Sequence, residues 1–83
     1  MNKLYKITGI FQINNPTVPL VSHQYRVNRM GTLRFLARNS PMWLDYQDRK
    51  GTLMTSKVFE FEDDNSELVV TTRSAIYHLE SIV

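Results

Sequence analysis

The chain has 83 residues, a formal net charge of +2 and no cysteine. This length predicts a single domain spanning residues 1–83, and the lack of cysteine excludes disulfides and fits a reducing cytosol. No apolar run approaches the roughly 18 residues that a membrane helix needs, so no membrane partner is expected.

Charge is distributed unevenly along the sequence. Residues 1–57 contain nine of the ten basic residues against Asp45 and Asp48, a balance of +7. Residues 58–83 contain Arg73 against six carboxylates, a balance of −5. The difference predicts two electrostatically distinct surfaces, unless a basic strand lies beside an acidic strand and cancels it.

Alternating apolar residues predict a first strand over Lys3 to Ile13, in which Gly9 marks a bend or a bulge. The turn residues at 14–16, Asn-Asn-Pro, end this strand. A second strand is expected over Thr17 to Asn28, with Pro19 near its start.

The clearest pattern is a β-hairpin over Gln24 to Arg38. Its turn is predicted at 28–31, where Asn opens a type I turn and Gly31 takes the left-handed position. Side chains alternate between the two faces of a strand, so this register places one apolar face in the core. The core pairs are Val27 with Leu33, and Tyr25 with Phe35.

The opposite face of this predicted hairpin is basic. It carries Arg26 opposite Arg34, with Arg38 further along. Because like charges opposite each other destabilise a sheet, the three arginines are candidate contacts for an anion or an acidic partner. The alternative is that their stems cover apolar surface while the charged groups remain in water.

Residues 42–50 fit two structures. In the first, a short helix near 41–50 begins after Ser40 and ends at Gly51. In the second, a strand over Trp43 to Gln47 turns back at 48–51. The second hairpin is favoured because the turn sequence at 28–33 recurs at 48–53, with Arg, Gly, Thr and Leu in the same places.

The C-terminal third predicts an acidic hairpin followed by a last strand over Ile76 to Ile82. The hairpin consists of a strand over Thr52 to Glu62, a turn at 63–66 and a strand over Glu67 to Arg73. Its predicted pairs are Phe61 with Leu68, Phe59 with Val70, and Glu62 with Glu67. Its outer face and turn carry a second candidate contact surface: Glu60, Glu62, Asp63, Asp64 and Glu67.

Short strands separated by turn signals about every 8–12 residues are typical of sandwiches and barrels. We therefore predict an all-β fold, a small and strongly bent antiparallel sheet or barrel of five to six strands. Such a closed sheet hides the strand edges that could otherwise template aggregation.

The sequence contains no motif for catalysis or for metal binding. His23 and His78 are far apart, there is no cysteine, and no Gly-x-Ser-x-Gly occurs. These observations predict a binding protein that is not an enzyme and has no metal or cofactor.

Two kinds of partner are open. Small barrels bind single-stranded nucleic acid through a basic groove and exposed aromatic rings. Because Tyr25 and Phe35 are assigned to the core, Trp43 and Tyr46 remain as candidate aromatic anchors, although a lone Trp43 also fits a core position. The acidic C-terminal part would repel phosphate. Trp, Tyr and Arg are also the usual anchors of protein interfaces, so a host protein is the favoured partner and direct nucleic-acid binding the alternative.

Residues 55–58, Thr-Ser-Lys-Val, and residues 70–80, Val-Thr-Thr-Arg-Ser-Ala-Ile-Tyr-His-Leu-Glu, resemble the C-terminal strands of small phage and prophage proteins. Those proteins share a Thr-Ser-x-Val strand followed by a Thr-Arg-x-x-x-Tyr-x-Leu-Glu strand, and Ser74 stands where they usually have Asn. The resemblance implies a phage or mobile-element origin and a cytoplasmic location in a bacterial host. Small phage proteins, anti-CRISPR proteins among them, often bind and block a host machine.

Together these features predict a small, non-catalytic phage or mobile-element protein that inhibits a host protein, such as a CRISPR or other defence nuclease. Its acidic hairpin would mimic phosphate locally, although the chain as a whole is basic. The alternative function is that of a single-stranded nucleic-acid-binding β-barrel.

Overall fold

Six antiparallel strands account for most of residues 3–64 and 66–82, which are the residues that the computed structural model describes. The strands are β1 (Leu4–Phe11), β2 (Met30–Phe35), β3 (Pro41–Tyr46), β4 (Thr52–Asp63), β5 (Glu67–Thr72) and β6 (Ile76–Ile82). Each strand pairs with the next along the chain, and β6 pairs with β1, so the sheet closes into a barrel. The predicted small all-β barrel is confirmed.

The barrel interior is filled by one cluster of apolar side chains. Alternate residues of each strand point inward, as the two-residue period of a strand requires; in β3, for example, Met42 and Leu44 are fully buried. Full burial of a side chain of this size contributes about 1.5–3 kcal/mol relative to exposure. The cluster consists of Tyr5, Ile7, Ile10, Met42, Leu44, Leu53, Val58, Leu68, Val70, Ala75, Tyr77 and Leu79.

The predicted hairpin over Gln24 to Arg38 is wrong, and so is the strand predicted over Thr17 to Asn28. A 3₁₀ helix spans Val21–Arg26. Residues 17–20, all of them described, contribute to strand structure only an isolated bridge between Pro19 and Phe11 of β1. The physical reason is that the segment after the helix pairs with β1 instead. The amide of Ile7 donates to the carbonyl of Arg29 at 2.9 Å, and the amide of Asn28 donates to the carbonyl of Ile7 at 2.7 Å.

Gly31 has a different role from the one predicted. It lies inside β2, opposite Tyr5 on one side and Tyr46 on the other, and Asn28 rather than Gly31 adopts the positive φ, 72°. A Cβ at Gly31 would stand 2.7 Å from Leu44 Cγ. The glycine is therefore required by close approach of β2 and β3 and not by a turn.

The expectation that Tyr25 and Phe35 lie in the core is also wrong. Their exposed fractions are 63% and 47%, because the 3₁₀ helix holds Tyr25 outside the barrel and a bulge in β2 turns Phe35 to the outer face. Val27 and Leu33 do pack against the core cluster, although not as a pair across a hairpin.

The second hairpin, formed by β3 and β4, is confirmed, and the helical alternative near 41–50 is wrong. The amide of Tyr46 donates to the carbonyl of Gly51 at 3.1 Å, and Gly51 has a φ of 113°. Thr52 Oγ1 donates to Asp45 Oδ1 at 2.9 Å. Gly51 thus has the positive φ that is expected for the last residue of this turn.

β4 and β5 form the predicted acidic hairpin in a different register. Phe61 pairs with Val70 and Glu62 with Val69, each two positions from the predicted partner. The turn is closed by Asp64 and Glu67, since the Asp64 amide donates to the Glu67 carbonyl at 3.0 Å. The Glu67 amide donates to Asp64 Oδ1 at 2.9 Å, while Asn65 of the predicted turn lies outside the described residues. A register shift between Val58 and Glu60 leaves Phe59 56% exposed instead of paired with Val70.

β1 and β6 agree closely with the predicted first and last strands. The pairing of these two strands shifts between Ile7 and Gly9, so the predicted irregularity at Gly9 is confirmed. Over the residues described, no helix has the length and apolar character needed to span a membrane.

Candidate binding surfaces

The three arginines of the predicted basic face occupy three separate places. Arg26 ends the 3₁₀ helix, Arg34 lies in β2, and Arg38 lies in the connection between β2 and β3. Arg26 therefore does not face Arg34 across a hairpin. The structure instead pairs each of the first two arginines with aromatic residues, at two neighbouring surfaces.

The first surface is the outer row, which we define as Phe35, Trp43 and Met54. The strand register places Phe35 opposite Trp43 and Trp43 opposite Met54, so the row crosses β2, β3 and β4. Trp43 lies between the two fully buried residues of β3 and so points outward. Phe35 and Met54 are 47% and 57% exposed.

Arg34 covers part of this row. It occupies the bulge between Leu33 and Phe35, and its guanidinium carbon stands 5.7 Å from the centre of the Trp43 ring. Arg34 Nε lies 3.3 Å from Asp45 Oδ2. Since a bulge re-aims the side chains next to it, the irregular register places a cation directly over the indole.

A groove of about 450 Å³ lies on this surface and is lined by Arg34, Phe35, Ser40, Pro41 and Trp43. The groove is lined largely by apolar surface, with the guanidinium of Arg34 at its side. It offers flat rings and a positive charge to a ligand on the outside of the barrel.

The second surface is the arginine–tyrosine cluster, which we define as Tyr25, Arg26, Tyr46, Arg49 and Tyr77. It lies at the end of the barrel where the 3₁₀ helix approaches the turn between β3 and β4. Gln24 positions the helix, because its Nε2 donates to the carbonyl of Ile10 on β1 and to the carbonyl of Leu20, both at 3.0 Å.

Arg26 is held in place by two tyrosine hydroxyls. Its Nε donates to Tyr25 Oη at 3.0 Å, and its Nη1 donates to Tyr77 Oη at 2.8 Å. The guanidinium carbon lies 5.2 Å from the centre of the Tyr25 ring. Because Tyr77 is only 2% exposed, Arg26 is fixed to the core of the barrel at one side and reaches solvent at the other.

Arg49 approaches the same cleft from the turn between β3 and β4. Its guanidinium carbon lies 5.6 Å from the centre of the Tyr46 ring, and Tyr25, Arg26, Tyr46 and Arg49 all line a cleft of about 300 Å³. Within residues 3–64 and 66–82, no carboxylate pairs with Arg26 or Arg49. Arg29 nearby is paired with Asp48 at 3.7 Å.

Two tyrosines of the cluster, Tyr46 and Tyr77, stay neutral around pH 7. Burial raises the pKa of Tyr77, and the positive charge and hydrogen bond of Arg26 offset that effect only in part. Burial likewise raises the pKa of Tyr46, against the lowering influence of Arg26 and Arg49. The cluster therefore combines positive guanidinium groups with the neutral phenol rings of Tyr46 and Tyr77.

The acidic candidate residues lie on a different part of the barrel. All five, Glu60, Glu62, Asp63, Asp64 and Glu67, are exposed and lie on β4, on β5 or in the turn between them. Glu67 faces Glu80 of β6 and lies 3.4 Å from His78 Nδ1. It does not face Glu62 as predicted.

The charge difference along the sequence becomes a spatial separation along β4. The first half of this strand pairs with β3 and carries Met54, whereas the second half pairs with β5 and carries Glu60 and Glu62. The arginine–aspartate ion pairs, at Asp45 and Asp48, both lie inside the basic part of the chain. The structure thus presents a basic, aromatic surface and an acidic surface at different places.

The structure brings Arg34 together with Trp43, and Arg26 together with Tyr46, while Arg38 joins neither surface. Sequence reasoning missed Met54, Arg49 and Tyr77, besides the two aromatic residues that it assigned to the core. The alternation of β4 around the buried Leu53 would have predicted an outward Met54, and Arg49 occupies the repeated turn sequence.

Over the described ranges 3–64 and 66–82, no three His, Asp or Glu side chains converge in a way that could hold a metal ion. Comparison with known proteins found no match for the chain among family models, curated proteins or solved structures. The two surfaces are therefore interpreted from their own geometry.

Proposed function

We propose that the protein binds single-stranded nucleic acid through the outer row and Arg34. The observation that carries this proposal is the exposure of aromatic rings beside arginines on the outside of a small barrel. The sequence alone favours a host protein as the partner, because it predicts Tyr25 and Phe35 in the core and an acidic C-terminal part that repels phosphate. Both rings are accessible, and each lies next to an arginine in the sequence.

The chemistry of the outer row suits unpaired bases. A base has an apolar, polarizable face that stacks on an aromatic ring, and each such contact contributes about 1–3 kcal/mol to binding. Adjacent strands lie about 4.8 Å apart, so the row from Phe35 to Met54 extends over about 10 Å. A ligand lying across β2, β3 and β4 contacts two rings and a thioether in succession.

Arg34 supplies the electrostatic component. Its side chain is 55% exposed and only its Nε contacts Asp45, so its terminal Nη groups are left to donate to a phosphate oxygen while one face covers the indole. An Arg–phosphate contact is often bidentate, which gives it directional preference as well as attraction. The acidic side chains of β4 and β5 repel phosphate, which confines the strand to the opposite half of β4.

The proposal is tested by fluorescence anisotropy with a labelled oligothymidylate at low salt. Replacing Phe35 with Ala removes one stacking ring and is expected to weaken binding by about 1–3 kcal/mol. Phe59→Ala is the matched control, because Phe59 is 56% exposed and does not line the groove. Equal affinities for the two variants, or no binding by the wild-type protein at low salt, would refute the proposal.

A second candidate function is inhibition of a host protein that itself binds nucleic acid, as the phage resemblance implies. The observation in its favour is the exposed acidic hairpin, whose carboxylates form a row of negative charge that can occupy a phosphate-binding surface. Affinity capture from a bacterial lysate tests it. Capture of a stoichiometric partner by the wild-type protein and not by a Glu60→Lys, Glu62→Lys variant supports inhibition, whereas identical capture by both contradicts it.

A further inference from the structure

The cleft of the arginine–tyrosine cluster carries positive charge, and no carboxylate is among the residues that line it. Among the residues that the structure describes, Asp48 pairs with Arg29 and no carboxylate pairs with Arg26 or Arg49. Both of these arginines line the cleft. Two guanidinium charges thus converge on a space of about 300 Å³ without a partner of opposite sign.

Arg26 is pre-organised to bind an anion. Its Nε and one Nη1 proton are used by Tyr25 and Tyr77, and a guanidinium has five N–H donors, so further donors remain for a ligand. Because both tyrosine contacts fix the plane of the group, little side-chain freedom is lost on binding. Arg49, in the turn, provides a second cation at the cleft.

The cleft is continuous with the outer row. Met54 lines the cleft and is also the strand partner of Trp43. A strand that stacks along the outer row therefore reaches the cleft directly. Tyr25, whose ring is 63% exposed, offers a further stacking surface at this point.

From these observations we infer that the cleft binds the terminal phosphate monoester of a nucleic-acid strand, with the last base against Tyr25. This inference deepens the proposed function and rests on it. A phosphate monoester carries about −1.5 to −2 charges at pH 7, whereas an internal phosphodiester carries one. Two uncompensated guanidinium groups match the monoester better than the diester.

The experiment compares oligothymidylates of one length that end in a 5′-phosphate, in a 3′-phosphate, or in hydroxyls at both ends. One additional charge-assisted contact is expected to make a phosphorylated strand bind about tenfold more tightly than the hydroxyl-ended strand. The end that gives the larger effect defines the direction in which the strand lies. Thymidine monophosphate serves as a fourth ligand that does not need the outer row.

The matched variants are Arg49→Gln and Lys50→Gln. Both remove one positive charge from the same exposed turn, but Lys50 does not line the cleft. Loss of the preference for a phosphorylated end in Arg49→Gln, with the preference retained in Lys50→Gln, supports the inference. Equal affinity of wild type for all three strands, or equal loss of the preference in both variants, overturns it.

The ligand set separates this inference from the proposed function. If hydroxyl-ended strands bind through Phe35 and phosphorylation adds nothing, the cleft assignment fails and the outer row remains. If no hydroxyl-ended strand binds but thymidine monophosphate binds in an Arg49-dependent manner, the phosphate cleft is supported and strand binding by the outer row is refuted.

Discussion

Replacement of Gly31 by alanine tests the packing of β2 against β3. The added Cβ would lie 2.7 Å from Leu44 Cγ and 2.8 Å from the carbonyl oxygen of Asp45. Leu44 is completely buried, and the second contact is backbone in a strand that pairs on both sides. Neither can move without disturbing the barrel, so the substitution is expected to cost about 3 kcal/mol, the upper end for overpacking.

Gly9→Ala is the matched comparison. Its Cβ would approach Phe11 Cε2 at 2.5 Å and Cζ at 2.8 Å, but these atoms form the far end of a half-buried side chain that can turn aside. A cost of about 1 kcal/mol is expected. At roughly 4–8 °C per kcal/mol for a domain of this size, Tm should fall by about 8–16 °C more in Gly31→Ala than in Gly9→Ala.

Thermal unfolding followed by circular dichroism measures both variants, with urea unfolding to give the free energies. Since neither glycine is in a left-handed conformation, strain in φ does not contribute and the comparison reports steric contact. Equal losses in the two variants, or a larger loss at Gly9, would show that close approach at Gly31 does not limit the packing of β2 and β3.

Two further predictions concern Thr72 and His23. Thr72 is fully buried, and its Oγ1 donates to the Ala75 carbonyl at 2.8 Å and accepts from the Ala75 amide at 3.1 Å. Thr72→Val should therefore lower the free energy of unfolding, measured in urea, by about 1–3 kcal/mol. A similar loss in Thr71→Val would contradict this. Burial, and then the charge of Arg26, lower the pKa of His23 below its ordinary 6.5. The unfolded chain therefore takes up the proton first, so the stability contributed by neutral His23 is present above about pH 6.5 and declines as pH falls toward the folded pKa. NMR titration should give a lowered pKa that rises in Arg26→Gln, and an unchanged value in that variant would refute the electrostatic part of the argument.

Sequence reasoning succeeded where local chemistry determines the structure. The β3–β4 hairpin follows from a turn in which Gly51 can adopt positive φ, and from alternating residues on both sides of it. The inward Tyr77 and Leu79 of β6 follow in the same way from a two-residue period, whereas β4 keeps that period only up to Thr55. In these strands the nearest neighbour in sequence is also a neighbour in space.

The same reasoning failed over Gln24 to Arg38, although its turn sequence closely repeats the successful one. In the folded barrel, β2 pairs with β1 and β3, so residues before Asn28 have no place beside it. Which strands pair to close the sheet depends on contacts between residues far apart in the sequence. The alternating pattern of residues 24–38 does not contain that information.

The candidate surfaces depend on these same long-range contacts. Phe35 faces outward because of a register shift, and Tyr25 reaches the cleft because Gln24 fixes a 3₁₀ helix on β1. Arg26 meets Tyr77 across 51 residues of sequence. The sequence predicts that aromatic and basic residues form an interface. Which of them lie together is determined by the closed barrel.

The claim that single-stranded nucleic acid binds at the outer row is tested most directly by the salt dependence of oligothymidylate binding at Trp43. Trp43 is the single tryptophan of the chain, so its fluorescence reports a base stacked on the outer row without any label. Titrations with oligothymidylate at several salt concentrations should show quenching, and Arg34→Gln should reduce the slope of log affinity against log salt by about 0.7. Arg73→Gln, an equal change of charge at the turn before β6, should leave the slope unchanged. Unquenched Trp43 fluorescence at low salt, or equal slopes for the two variants, would contradict binding of single strands at this surface.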